Sequence, residues 1–163
     1  MSTRFFPILS NGTARATVGL SSLDGKRMVE LPFLIDTGAT RTSINKLFLV
    51  KRLGYTDDWL SKNRIEIPKE KWPIIANGEK IEVYGIPAIR LNIDGHEIFR
   101  RGHDEYFLTS DVAPKLSFLL GTDILSYFDI FFMYSEGRVY YEFRQDRLNL
   151  QEKPGDSFAY GVE

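Results

Sequence analysis

Cysteine is absent from this 163-residue chain. Without a thiol there is no disulfide framework, no cysteine nucleophile and no thiolate metal site, and the absence fits a reducing compartment. Only two histidines occur. His103, Asp104 and Glu105, with His96 nearby, could suggest a metal, but their spacing matches no ligand pattern, so the group reads as a solvated polar loop without a metal. No window reaches the ~18 apolar residues of a membrane span. Residues 1–9 hold Phe5-Phe6-Pro7-Ile8-Leu9 but lack the apolar length of a signal peptide. The expectation is a cytoplasmic protein with no membrane partner. Charge of one sign is lacking too, with 21 Lys and Arg against 22 Asp and Glu. Lys51-Arg52 and Arg100-Arg101 are too short to make a basic face, which argues against a nucleic-acid partner.

What is present is apolar. A hydrophobic content of 43% with 13% aromatics argues against disorder. The length supports one domain with a real core, expected over residues 1–145 and followed by a polar tail at 146–163. Most of the chain reads as short strands joined by turns. Residues 14–21 and 27–35 flank Asp24-Gly25, a strong hairpin signal. Residues 86–93 and 97–101 flank Asp94-Gly95, and 74–84 alternates around Asn77-Gly78. Residues 129–134 and 138–144 pair across Ser135-Glu136-Gly137, and residues 5–9 read as a strand.

Two helices are expected. One spans 46–53, with Leu47, Val50 and Leu53 at helical spacing and Gly54 as its stop; the other is a short helix at 123–128. The charged stretch 56–72, broken at Pro68, reads as a loop with a short strand. Its Trp59 and Trp72 read as packing residues. Residues 101–106 form a polar bend, and 116–120 a buried strand ending at Gly121.

The sharpest signal is Phe33-Leu34-Ile35-Asp36-Thr37-Gly38-Ala39-Thr40, a carboxylate among small residues directly after an apolar strand at 31–35. Gly38 permits a sharp turn with positive φ and brings the backbone close to whatever Asp36 binds.

Leu34-Ile35-Asp36-Thr37-Gly38-Ala39-Thr40 resembles the active-site signature of retropepsin-type aspartic proteases. The resemblance continues through Ser43-Ile44 and Leu53-Gly54-Tyr55, through Ala76-Asn77-Gly78 with Ile81, Val83 and Gly85, and through Leu91-Asn92-Ile93-Asp94-Gly95. It closes at Leu119-Leu120-Gly121-Thr122-Asp123-Ile124-Leu125. The motifs arrive in the family's order over roughly residues 14–143. The resemblance implies an all-β, closed β-barrel or sandwich with a flap hairpin and one or two short helices, homodimeric and without a cofactor. It also implies an endopeptidase acting on peptides or proteins. Asp36 would be catalytic, Thr37, Gly38, Ala39 and Thr40 would form the active-site loop, and Ala76, Asn77 and Gly78 the substrate-covering flap. Thr37 looks like the residue whose hydroxyl bonds across the dimer axis.

The chemistry demands a second carboxylate. Peptide hydrolysis by carboxylates needs one group ionised to take a proton from water and one protonated to donate to the carbonyl oxygen. This chain has a single Asp-Thr-Gly, and Asp24-Gly25 and Asp94-Gly95 read as hairpin turns. Asp36 therefore needs a mate from another chain, which a twofold axis supplies. A barrel retained only for binding peptides or proteins is the alternative, since a fold does not guarantee an activity. Ala39 lacks a hydroxyl that could donate to Asp36, which leads us to expect weakly acid to neutral activity. Thr40 and Thr122 stand where many viral members carry an ion pair, and the flap lacks the viral multi-glycine tip.

Overall fold

The chain reverses where its Asp-Gly pairs stand. Asp94 and Gly95 have φ of 52° and 83°, the two left-handed residues that a tight hairpin matching strand twist requires. In the computed structural model, which describes residues 4–9, 11–74, 77–87, 89–98, 106–144 and 146, the elements run β1 (Arg4–Pro7), β2 (Arg15–Ser21), β3 (Met28–Ile35), α1 (Lys46–Arg52), α2 (Asp57–Asn63), β4 (Ile65–Glu66), β5 (Tyr84–Pro87), β6 (Leu91–Ile93), β7 (His96–Ile98), β8 (Tyr106–Thr109), β9 (Leu119–Leu120), α3 (Thr122–Leu125), β10 (Phe128–Met133) and β11 (Arg138–Phe143). Single 3-10 turns lie at Lys69–Lys71 and Tyr134–Glu136.

The fold is mostly strand with few helices. One sheet has the order β7-β6-β2-β3-β9, a second β4-β5-β8, and a third β1-β11-β10. Ser43 stitches the first two together, bridging Leu108 of β8 on one side and Leu119 of β9 on the other. Among the described residues no ladder joins the outer strands β7 and β4 into a closed barrel. All strand pairs are antiparallel except β3 with β9, where Leu34 faces Leu119 and Ile35 faces Leu120. That parallel pair brings the end of β3 beside the Gly121 turn and places the site.

The core alternates as strands require. Ala16, Val18 and Leu20 of β2 are buried beside Phe33, Leu91, Ile93 and Leu120. Phe118 meets Phe33 and Phe48 edge-on, with ring centroids 5.3 and 5.5 Å apart, an arrangement that aromatic quadrupoles favour. The third sheet packs Phe6, Val139, Tyr141, Phe128 and Ile130 toward Ala16, Ile35 and Leu120. Its other face carries Phe5, Tyr140 and Phe131 in direct cross-strand register, with Phe131 61% exposed.

Several expectations need correction. The stretch at 56–72 is not simply loop and strand, because α2 forms there and makes a third helix. Thr56 caps it, its Oγ1 accepting from the Trp59 N–H at 3.0 Å, and Asp57 and Asp58 sit in the first turn, where the helix dipole favours negative charge. The single strand expected at 86–93 is two: β5 pairs with β4 and β8, whereas β6 pairs with β2. The strand expected at 116–120 shortens to β9. β3 lies within the expected 27–35, but its stretch 31–35, expected to be buried, is only half-buried, with Phe33 its one fully buried residue. Among the described residues around Asn77-Gly78, the pairing is a bridge between Ile74 and Lys80. Trp59 packs edge-on against Tyr55 at 5.1 Å, and Trp72 Nε1 donates to the Ile67 carbonyl at 2.9 Å, so both are packing residues. Ala76, residues 101–105 and the tail apart from Asp146 lie outside the described residues.

No helix among the described residues is long and apolar enough to cross a membrane, which says nothing of a β-barrel. Nor is any group of three His, Cys, Asp or Glu among them placed to hold a metal ion.

Candidate active site

Asp36 stands at the end of β3, where the strand stops and the chain turns. Its backbone N–H donates to the Leu120 carbonyl at 3.1 Å, and the Ala39 N–H closes the turn onto the Asp36 carbonyl at 3.2 Å. The Gly38 N–H points back at the side chain, donating to Oδ1 at 3.0 Å. Gly38 does not adopt the positive φ expected of it. A Cβ there would lie 3.3 Å from Asp36 Oδ1, a tight contact that would make the carboxylate shift by a few tenths of an ångström.

The loop is then anchored to the second glycine element. Thr122 N–H donates to the Ala39 carbonyl at 2.8 Å. Gly121 lies so close to Arg41 that an added Cβ would meet its backbone at 2.6–2.8 Å. Thr42, fully buried, donates from Oγ1 to Asp123 Oδ1 at 2.8 Å and from its N–H to Oδ2 at 3.1 Å. The same hydroxyl accepts from the Gly121 N–H at 3.1 Å, so its buried polar atoms are satisfied. Ser43 follows, its Oγ donating to the Ser117 carbonyl at 2.6 Å. The carboxylate-bearing turn is thus held from both sides by hydrogen bonds and close backbone contact, and its geometry is preorganised.

In front of Asp36 lies a cleft of about 780 Å³. Gly38, Ala39, Thr40 and Arg41 form one wall, and Ile67, Lys71, Pro73 and Ile74 belong to another segment. Ser43, Tyr106, Leu108, Leu116 and Leu119 complete the lining. The lining mixes the polar Asp36, Thr40, Arg41 and Lys71 with apolar side chains.

A charged cluster steadies the chain that carries Leu116. Asp111 accepts from Lys46 Nζ at 2.6 Å, from Arg64 Nη2 at 2.9 Å and from the Tyr84 hydroxyl at 3.0 Å. Burial pushes the Asp111 carboxyl up, but those three donors outweigh it and hold the group down at about 2. Burial and the hydrogen bond to Asp111 push the Tyr84 hydroxyl up to about 12. Burial works against the charge on Lys46, yet Asp111 and Asp57 raise it well above the usual lysine range.

No family model matches the sequence, and no curated protein matches it by sequence. A solved structure does match by fold. The crystal structure of a retropepsin-like aspartic protease from Rickettsia conorii superposes with a TM-score of 0.57, covering 87% of this chain and 91% of that one at 18% identity. The fold is retropepsin-like.

Within this retropepsin-like fold, Asp36, Gly38, Ala39 and Thr40 come together on the cleft, whereas Thr37 is exposed and not part of its lining. Asn77 and Gly78 are exposed at a turn whose base residues, Pro73 and Ile74, line the cleft. Gly78 has φ of 85°, and Asn77 Oδ1 accepts from the Glu79 N–H at 2.9 Å. Ala76 falls outside the described residues. Sequence reasoning did not assign roles to Arg41, Thr42, Tyr106 or Asp123. For Asp123 a signal existed, a carboxylate two residues after the second glycine, but it read only as the start of a helix.

Proposed function

We propose that this chain is an aspartic endopeptidase whose site is completed by Asp36 of a second copy across a twofold axis. The observation that carries this reading is the Asp36 turn itself: one carboxylate on a rigidly held loop, facing a peptide-sized cleft. A single carboxylate cannot serve as base and acid in the same step. Two of them about 3 Å apart cannot both ionise and therefore share one proton, as in other aspartic proteases. The ionised member takes a proton from the attacking water while the protonated member donates to the carbonyl oxygen. Asn77 and Gly78, with neighbouring Ala76, would close over the bound peptide and exclude water. Thr37, which is exposed, would meet its counterpart at the axis.

The test is cleavage of a synthetic peptide library by the full chain, with Asp36→Asn and a pepstatin-type inhibitor as controls. Cleavage abolished by both supports the reading. Peptides that bind and remain uncut under every condition would leave a binding module in its place.

A further inference from the structure

We propose that the hydrogen bond from the Tyr84 hydroxyl to Asp111 fixes the spacing of two segments of the cleft lining. It thereby sets which sizes of apolar substrate side chain the cleft accepts. The inference rests on the endopeptidase reading above, and it makes Tyr84 and Asp111 positioning residues, since neither lines the cleft.

The first segment carries Pro73 and Ile74, both in the lining. The Ile81 N–H donates to the Pro73 carbonyl at 2.9 Å, and Ile74 bridges Lys80, so the outgoing and returning arms around Asn77-Gly78 are tied. The returning arm runs through Glu82 to Tyr84, where β5 begins. The second segment, residues 110–116, follows β8 and ends on Leu116, which lines the cleft with Leu119.

Two bonds join these segments. Ser110, fully buried, donates from Oγ to the Glu82 carbonyl at 2.6 Å, and the Tyr84 hydroxyl donates to Asp111 Oδ1 at 3.0 Å. Both ends of the second bond are held in turn. Tyr84 is buried, with the Arg64 guanidinium 3.8 Å from its ring centroid. Asp111 also accepts from Lys46 at the start of α1 and from Arg64 at the end of α2. Beyond it, the Ala113 N–H donates to Ser110 Oγ and the Leu116 N–H to the Ala113 carbonyl, each at 3.0 Å. Little slack is left between the joint and Leu116. Gly85 lets β5 close on β8, since a Cβ there would come within 2.8 Å of the Tyr106 ring. A joint packed this closely transmits a displacement instead of absorbing it. Loosening it should let the two segments shift and blur the choice among apolar side chains.

The experiment uses the full chain and synthetic peptides that differ only in carrying Ala, Val, Leu or Phe at each position flanking the cut. Values of kcat and KM are measured for the wild type, Tyr84→Phe, Asp111→Asn and Gly54→Ala. Gly54→Ala controls for lost stability, because Gly54 belongs neither to the joint nor to the lining. At one position the wild type should separate best from worst peptide by about tenfold or more in kcat/KM, the scale of a methylene in an apolar pocket. Tyr84→Phe removes only the hydroxyl and should narrow that ratio by about threefold, the scale of a weak net hydrogen bond. The change should lie in KM with kcat kept, because the Asp36 turn is untouched. Asp111→Asn should narrow the ratio at least as far, and Gly54→Ala should leave it alone. No size preference in the wild type, an unchanged ratio in Tyr84→Phe, or equal narrowing in Gly54→Ala would overturn the proposal. Should either joint variant fail to fold, the other decides.

Binding of the same peptides to Asp36→Asn, alone and combined with Tyr84→Phe, separates the two ideas when read by fluorescence anisotropy. If no peptide is cut, the endopeptidase reading fails and binding alone decides the size preference. The spread of affinities should then narrow when the Tyr84 hydroxyl is removed. An unchanged spread, or no binding of any peptide, would overturn the proposal.

Discussion

Asp123 grips Thr42 with both carboxylate oxygens, at 2.8 Å to the hydroxyl and 3.1 Å to the N–H. The two residues lie 81 positions apart in the chain, and their contact holds the Asp36 loop against the Gly121 turn. Thr42→Val keeps the shape but removes one donor to Asp123 and the acceptor for Gly121 N–H. It should cost about 2–3 kcal/mol, the scale of buried groups left unpaired. Thr42→Ser, which keeps the hydroxyl, should cost about 1 kcal/mol or less from the lost methyl. Urea unfolding of the variants under identical conditions checks the difference, and equal losses would remove the hydrogen bonds from the explanation.

Two glycines should fail for different reasons. Gly121→Ala drives a Cβ into Arg41 backbone atoms at 2.6–2.8 Å, and backbone cannot swing away as a side chain can. We expect about 2–3 kcal/mol of destabilisation, with cleft residues Thr40 and Arg41 displaced. Gly54→Ala meets no atom within 4 Å but sits at φ of 78°, so it should cost about 1 kcal/mol from backbone strain alone. Thermal unfolding ranks them, and peptide binding should suffer only in Gly121→Ala.

The acid limb of stability should carry the mark of Asp111. Its carboxyl is held down at about 2 against an ordinary value of 3.8, so the folded state favours the ionised form. That contribution is complete above the ordinary value and is lost as pH falls through the folded one. With the side chain 38% exposed, screening keeps it modest, about 1 kcal/mol. Asp111→Asn should therefore be less stable than wild type at pH near neutrality, and the gap should narrow as the pH is lowered from about 4 toward 2. A gap independent of pH would assign the loss to packing.

Much of the scaffold was legible because local chemistry dictated it. Asp24-Gly25 and Asp94-Gly95 turn where they should, and Leu47, Val50 and Leu53 marked α1. The second helix escaped because its signals are polar: Thr56 as a cap and Asp57 and Asp58 in the first turn look like loop composition when read for apolar periodicity. The break between β5 and β6 was hidden because the run 86–93, with Arg90 and Asn92 its only polar residues, reads as one strand, and partner choice divides it. The Asp36 loop could be read from its own residues. Its support could not, because Thr42 with Asp123 and Tyr106 with Gly85 are pairings made by the fold. Gly38 illustrates the limit well: the glycine was expected for its backbone angle, and what the fold gives it is nearness to the Asp36 carboxylate.

The claim that one site needs two copies of Asp36 is tested most directly by mixing subunits. Asp36→Asn preserves side-chain size and should still fold and pair, so exchange with wild type creates heterodimers holding one carboxylate. At a fixed total concentration that keeps all protein dimeric, with random pairing, activity should follow the square of the wild-type fraction, leaving about a quarter at equal mixing. A linear decline to about half, with exchange verified by mass spectrometry, would mean that each chain carries a complete site, and the shared-carboxylate mechanism would be contradicted.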